Sequence, residues 1–181
     1  ILVTIFTGQK MGKKVGFCGQ GVSNSTIIRG LVCVAGIVSA SVVPDTYAQT
    51  KIDIGALERE KVQVRDLGIW LKKQHFDRLC QVLERERYGH ILRQNSTPEA
   101  IQDWYEGELS RLHEQIQAHL GTAKEEFYRQ ELHTLRAALH KPVISATWDW
   151  GLTVKDALRH AGFESFEEQE KSLEEQRKRT W

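Results

Sequence analysis

The stretch from Ser96 to Pro142 constrains this chain more than any other. Ser96-Thr97-Pro98-Glu99 supplies a hydroxyl cap, a proline in the first turn and a glutamate able to reach back, the pattern that starts an α-helix. Ile101, Trp104 or Tyr105, Leu109, Leu112, Ile116 and Leu120 then recur at helical spacing as far as Gly121. Thr122-Ala123-Lys124-Glu125 offers a second capping box. Phe127, Leu132, Leu135, Ala138 and Leu139 continue the stripe until Pro142, which is expected to end it. Gly121 reads as a tight turn between antiparallel helices or as a kink in one long helix, and the separate stop and start signals favour the turn. Such stripes must be buried against further helices, and nothing in the chain alternates with period two for long. The expected fold is therefore all-α, a bundle or helical-hairpin array of five or six helices centred on residues 98–140.

The flanking pattern fits. Ile54, Leu57, Val64, Leu67 and Leu71 form one stripe behind Asp53 as a possible N-cap. Phe76, Leu79, Cys80 and Leu83 form another after Lys72-Lys73-Gln74, so the two read as a hairpin. Residues 88–95 are the expected loop and residues 143–151 an aromatic-rich connector. Thr153-Val154-Lys155-Asp156 starts a short helix closed by Gly162, with Phe163 and Phe166 placed to pin its end. Residues 167–179 are almost wholly charged, acidic first and basic last, which suits the helix dipole. With only Leu173 to bury, residues 167–181 read as a solvated tail or one that orders on a partner.

The N-terminal part reads as an address. Met11 is the only methionine, so residues 1–10 are read as an upstream segment and residues 11–48 as a signal peptide. Lys13, Lys14 and Arg29 precede an apolar run from Gly30 to Val43, and Thr46-Tyr47-Ala48 after Pro44 resembles a small-x-small cleavage site. That run of 14 residues reaches only about 21 Å as a helix, against roughly 30 Å of membrane hydrocarbon. A cleaved leader is preferred over an anchor, leaving Gln49 first and a helical domain over residues 49–166. The part after Ala48 carries 21 basic and 23 acidic residues, a net charge of −2, which gives no electrostatic reason to bind nucleic acid. It retains one cysteine, Cys80, so it can form no internal disulfide.

Leu67-Gly68-Ile69-Trp70-Leu71-Lys72-Lys73-Gln74-His75-Phe76-Asp77 resembles the first helix and turn of a tetratricopeptide-type hairpin. In that repeat a Leu-Gly pair lets two helices approach closely and an aromatic after the turn plugs the gap. The resemblance covers residues 67–87 and implies helical-hairpin packing and a protein-binding surface.

Few residues suggest chemistry. His133, His140 and Glu126 share one helical stripe and are weak candidates for a metal, although metal sites use closer spacing. Cys80 with His75 or His113 could form a thiol–imidazole pair, but Cys80 lies on an apolar stripe, where burial raises a thiol's pKa. Most carboxylates alternate with Arg and Lys at three- and four-residue spacing, as on exposed helix faces. Trp148-Asp149-Trp150 is the most unusual local feature. Two indoles flank a carboxylate, a combination able to anchor a protein, a sugar or a cationic ligand.

The expectation is thus an exported, periplasmic helical protein, non-enzymatic, without cofactor, acting on a protein partner as an interaction or assembly module. One alternative is a cell-wall or carbohydrate hydrolase using carboxylates near Trp148 and Trp150. Another is a small-ligand or metal carrier using His133 and His140.

Overall fold

Residues 1–179 are described by the structure, a computed structural model. The described residues are all-α in class, 76% helical with 10 α-helices and almost no sheet. The helix count exceeds the five or six expected because residues 1–46 contribute three helices and short helices fill the connectors. No helix among the described residues is long and apolar enough to cross a membrane.

Two compact units divide the chain. Unit 1 combines Ile1–Leu71 with the residues from Asp149 onward, and unit 2 is Lys72–Trp148. Unit 1 holds α1 (Leu2–Lys10), β1 (Gly16–Cys18), α2 (Gln20–Asn24), α3 (Thr26–Val34), β2 (Ser39–Ser41), α4 (Tyr47–Glu60), α9 (Trp150–His160) and α10 (Phe166–Lys178). Its core joins Ile5, Phe6, Val22, Val32 and Ala35 to Leu67, Leu71, Val154, Leu158 and Phe163. The stretch read as a leader is therefore folded here together with later segments. β1 and β2 form a parallel pair in the register Gly16↔Ser39, Phe17↔Ala40, Cys18↔Ser41.

Asp53 does not cap a helix. α4 begins at Tyr47, six residues before it, and ends at Lys61, whose φ of 50° closes the helix in the left-handed region. Instead, Asp53 meets the buried Arg29: its Oδ2 accepts from Nη2 at 2.6 Å and Nε at 3.0 Å. Arg29 Nη1 also donates to the carbonyls of Val22 and Ser23 at 2.7 and 3.0 Å. One guanidinium thus joins α2, α3 and α4. The expected turn at Lys72-Lys73-Gln74 is also absent, since α5 runs unbroken over Leu67–Arg85. No glycine, proline or capping residue interrupts it there, so the change of stripe is a change of neighbours. Gly68 serves a close approach: a Cβ there would lie 2.6 Å from the Cα of Gly151, on α9.

Unit 2 is centred on an antiparallel pair, α7 (Pro98–Ala118) and α8 (Ala123–Thr147), with the short α6 (Ile91–Gln94) ahead of them. Thr97 caps α7 by accepting from the Ala100 N–H at 3.2 Å. Gly121, at φ 77°, turns the chain. The second capping box forms differently from expectation. Glu125 accepts from the Gly121 N–H at 2.7 Å, while the Thr122 hydroxyl turns back to the His119 carbonyl at 2.7 Å. Pro142 does not end α8, which continues to Thr147 because Val143 and Ala146 remain on the buried stripe. Proline removes one helical hydrogen bond, and core packing on both sides of it outweighs that loss.

Candidate functional site

Trp148-Asp149-Trp150 is divided by its local geometry. Asp149 is the N-cap of α9, with Oδ1 accepting from the Leu152 N–H at 2.9 Å. Its carboxylate therefore organises a helix start. Trp150 packs partly buried against the core of unit 1, whereas Trp148 is 53% exposed. The boundary between the units falls between Trp148 and Asp149.

His133, His140 and Glu126 lie on α8 with exposed side chains. Seven residues of helix separate neighbouring members, a rise of about 10 Å, beyond the reach of one ion's ligand shell. No group of three or more His, Cys, Asp or Glu side chains among the described residues could hold a metal ion. Burial raises the Cys80 thiol above its ordinary value, and the nearby Asp77 and Glu84 charges raise it further. Burial and the Arg78 charge lower His75. His113 is held by the Leu109 carbonyl at Nδ1, 2.6 Å away, and by Arg136 at Nε2, 3.3 Å away. A small cavity of unit 2 contains Glu108 and Glu131, but Arg87, Tyr88, His90, Leu112 and Leu135 complete its lining. No indole enters it. Arg111 holds Glu108 through two hydrogen bonds of 2.9 and 2.6 Å, and Arg87 pairs with Glu131. Both carboxylates are committed to arginines.

The strand pair of unit 1 is the feature that the sequence reading missed. Parallel strands normally lie in sheets covered on both faces by helices. Here Phe17 and Ala40 pack toward the core, while Gly16, Cys18, Ser39 and Ser41 form an exposed face of small side chains. Among the described residues neither strand has a second strand partner, so each has an outer edge that no ladder covers. A Cβ at Gly16 would lie 2.5 Å from Ser39 Oγ, so a larger residue there would turn that hydroxyl aside.

No family model, curated protein or solved structure matches this chain. Exposed apolar side chains surround the strand pair along the chain, with Met11 before β1, Val38 before β2 and Val43 after it. Lys13 and Lys14 lead into β1 with exposed side chains and form no ion pair among the described residues. The signal available in the sequence was the short alternation Val15-Gly16-Phe17-Cys18 and Ser39-Ala40-Ser41-Val42. Each is only four residues long, beside a much longer apolar run.

Proposed function

We propose that this chain is a non-enzymatic protein–protein interaction and assembly module, and that its contact surface is the strand pair of unit 1. The uncovered face and open edges of β1 and β2 carry the reading. Open edges present backbone donors and acceptors to an added strand, and small side chains let another backbone approach. The occupant argued for is an extended segment of a partner protein bearing acidic residues beside Lys13 and Lys14. Those lysines disfavour pairing of two identical β1 edges, because like charges would meet.

A benzophenone attached at Cys18 tests this, with Cys33 and Cys80 replaced by serine. The proposal expects cross-links to one extended acidic segment of one protein. It also expects a complex rebuilt from the two purified proteins that weakens at least tenfold with Lys13→Glu and Lys14→Glu. Scattered cross-links, or equal binding by the charge-reversed variant, would overturn it.

This reading keeps residues 11–48 in the working protein. Cleaved export to the periplasm is the competing proposal. It is supported by the apolar run and by the exposure of Tyr47 and Ala48 at the start of α4. The intact mass of the protein purified from its native cell separates the two. A first residue at Gln49 supports cleaved export and removes the strand-pair surface, and a chain that retains Met11 supports the surface.

A further inference from the structure

α10 docks on α1 through amides where a core would ordinarily use aliphatic side chains. Gln169 Nε2 donates to Gln9 Oε1 at 2.6 Å, Gln176 Nε2 donates to the Gln9 carbonyl at 3.0 Å, and the Ser172 hydroxyl donates to the same carbonyl at 3.2 Å. Gln9 Nε2 passes the chain on to the Ala35 carbonyl at 2.6 Å. All three glutamines are buried. Leu173 is the only aliphatic side chain that α10 buries, and it sits over Gly36, where a Cβ would lie 2.8 Å from Leu173 Cδ1. The outer faces add two ion pairs, Lys10–Glu168 and Arg65–Glu170, each partly open to solvent.

Two features make this seat separable. Gln169 Oε1 is buried without a hydrogen-bond partner, an unmet acceptor that water would satisfy on opening. The helix itself carries its own start signal, since Ser165 Oγ accepts from the Glu168 N–H at 3.2 Å. The Glu167 and Glu168 carboxylates at that end suit the helix dipole. An α10 that leaves its seat therefore keeps its cap, gives up the burial of Leu173 and the partial burial of Phe166, and regains hydration for several amides.

We propose that α10 is a strap that undocks from α1 as a unit while the remainder of unit 1 stays folded. Its hinge is Glu164, between Phe163, which stays buried in the core, and the Ser165 cap. Undocking opens the seat formed by Gln9, Ala35 and Gly36 to solvent. Local opening of this kind precedes global unfolding where buried apolar contact is sparse.

Hydrogen–deuterium exchange on the full chain tests the strap. The amides of residues 170–178 are expected to exchange at least about tenfold faster than those of α3, yet slower than in a free peptide of residues 163–179. The double substitution Glu168→Gln, Glu170→Gln removes both ion pairs and is expected to speed α10 exchange about threefold, with α3 unchanged. Glu174→Gln, an exposed position on the same helix, is the control and is expected to change neither. Exchange of α10 at the rate of α3, exchange at the free-peptide rate, or equal acceleration of both helices by the double variant would each overturn the proposal.

Discussion

Replacing Gly68 by alanine tests the contact between α5 and α9 most directly. The added Cβ would lie 2.6 Å from both the Cα and the N of Gly151, and 3.0 Å from the carbonyl carbon of Trp150. All three are backbone atoms, so no side chain can rotate away. Reaching ordinary contact at 3.4 Å requires one helix to move by 0.8 Å against a packed core. Overpacking of this kind costs about 1–3 kcal/mol. Alanine recovers up to about 1 kcal/mol over glycine in a helix interior, and less in a first turn. The expected net loss is about 1–2 kcal/mol for unit 1. At a urea slope near 2 kcal/mol/M this lowers the midpoint by about 0.5–1 M. Gly107→Ala is the internal comparison, because that glycine lies within α7 and an added Cβ would meet nothing within 4 Å. It should raise the midpoint of unit 2 by a few tenths molar. Urea unfolding followed by far-UV circular dichroism and fitted as two transitions reads both. A Gly68→Ala protein as stable as the parent, or the same direction of change for the two variants, refutes the backbone-clash argument.

Asp53→Ala leaves the Arg29 guanidinium, whose side chain is 4% exposed, without its counter-charge. It should cost unit 1 about 3–5 kcal/mol, whereas Asp45→Ala on the surface should stay within about 0.5 kcal/mol; thermal melts compare them. Thr97→Ala removes the α7 cap and should cost about 1 kcal/mol, with Thr97→Ser close to neutral. The hydrogen bond from Arg111 holds Glu108 below its ordinary value of 4.5, and the Gly121 N–H with Arg129 does the same for Glu125. A depressed carboxyl contributes stability that is complete above the unfolded value and lost as pH falls through the folded one. The melting temperature should therefore hold above about pH 5 and fall below about pH 4.5, less steeply in Glu108→Gln; a flat profile would contradict this.

The parts of the fold legible in the sequence were those set by neighbours in the chain. Thr97 and Pro98 start α7, Gly121 turns it and Phe163 buries after α9, as their local chemistry requires. What escaped depended on distant partners. Asp53 looked like a cap because its actual partner, Arg29, is 24 residues away. Arg29 itself looked like the basic end of a leader. Lysines at 72 and 73 suggested a turn, although α5 continues through them, burying Leu71 in one core and Leu79 in the other. Residues 167–178 looked solvated because glutamine reads as surface, yet Gln169 and Gln176 are buried against a third glutamine. The candidate surface was hidden for a related reason. Strands of three residues give too few alternations to stand out, and an apolar run has the same composition whether it inserts into a translocation channel or into a core.

Because unit 1 is assembled from two stretches that flank unit 2, the order of synthesis imposes an order of folding. Gln9 cannot meet Gln169 until 160 further residues have been made, while unit 2 closes on contacts within one contiguous stretch. At roughly 5–20 residues per second, the interval between completing Trp148 and completing Lys178 is roughly 2–6 s. Until α10 is complete, Gly36 lacks the Leu173 side chain that covers it in the finished unit.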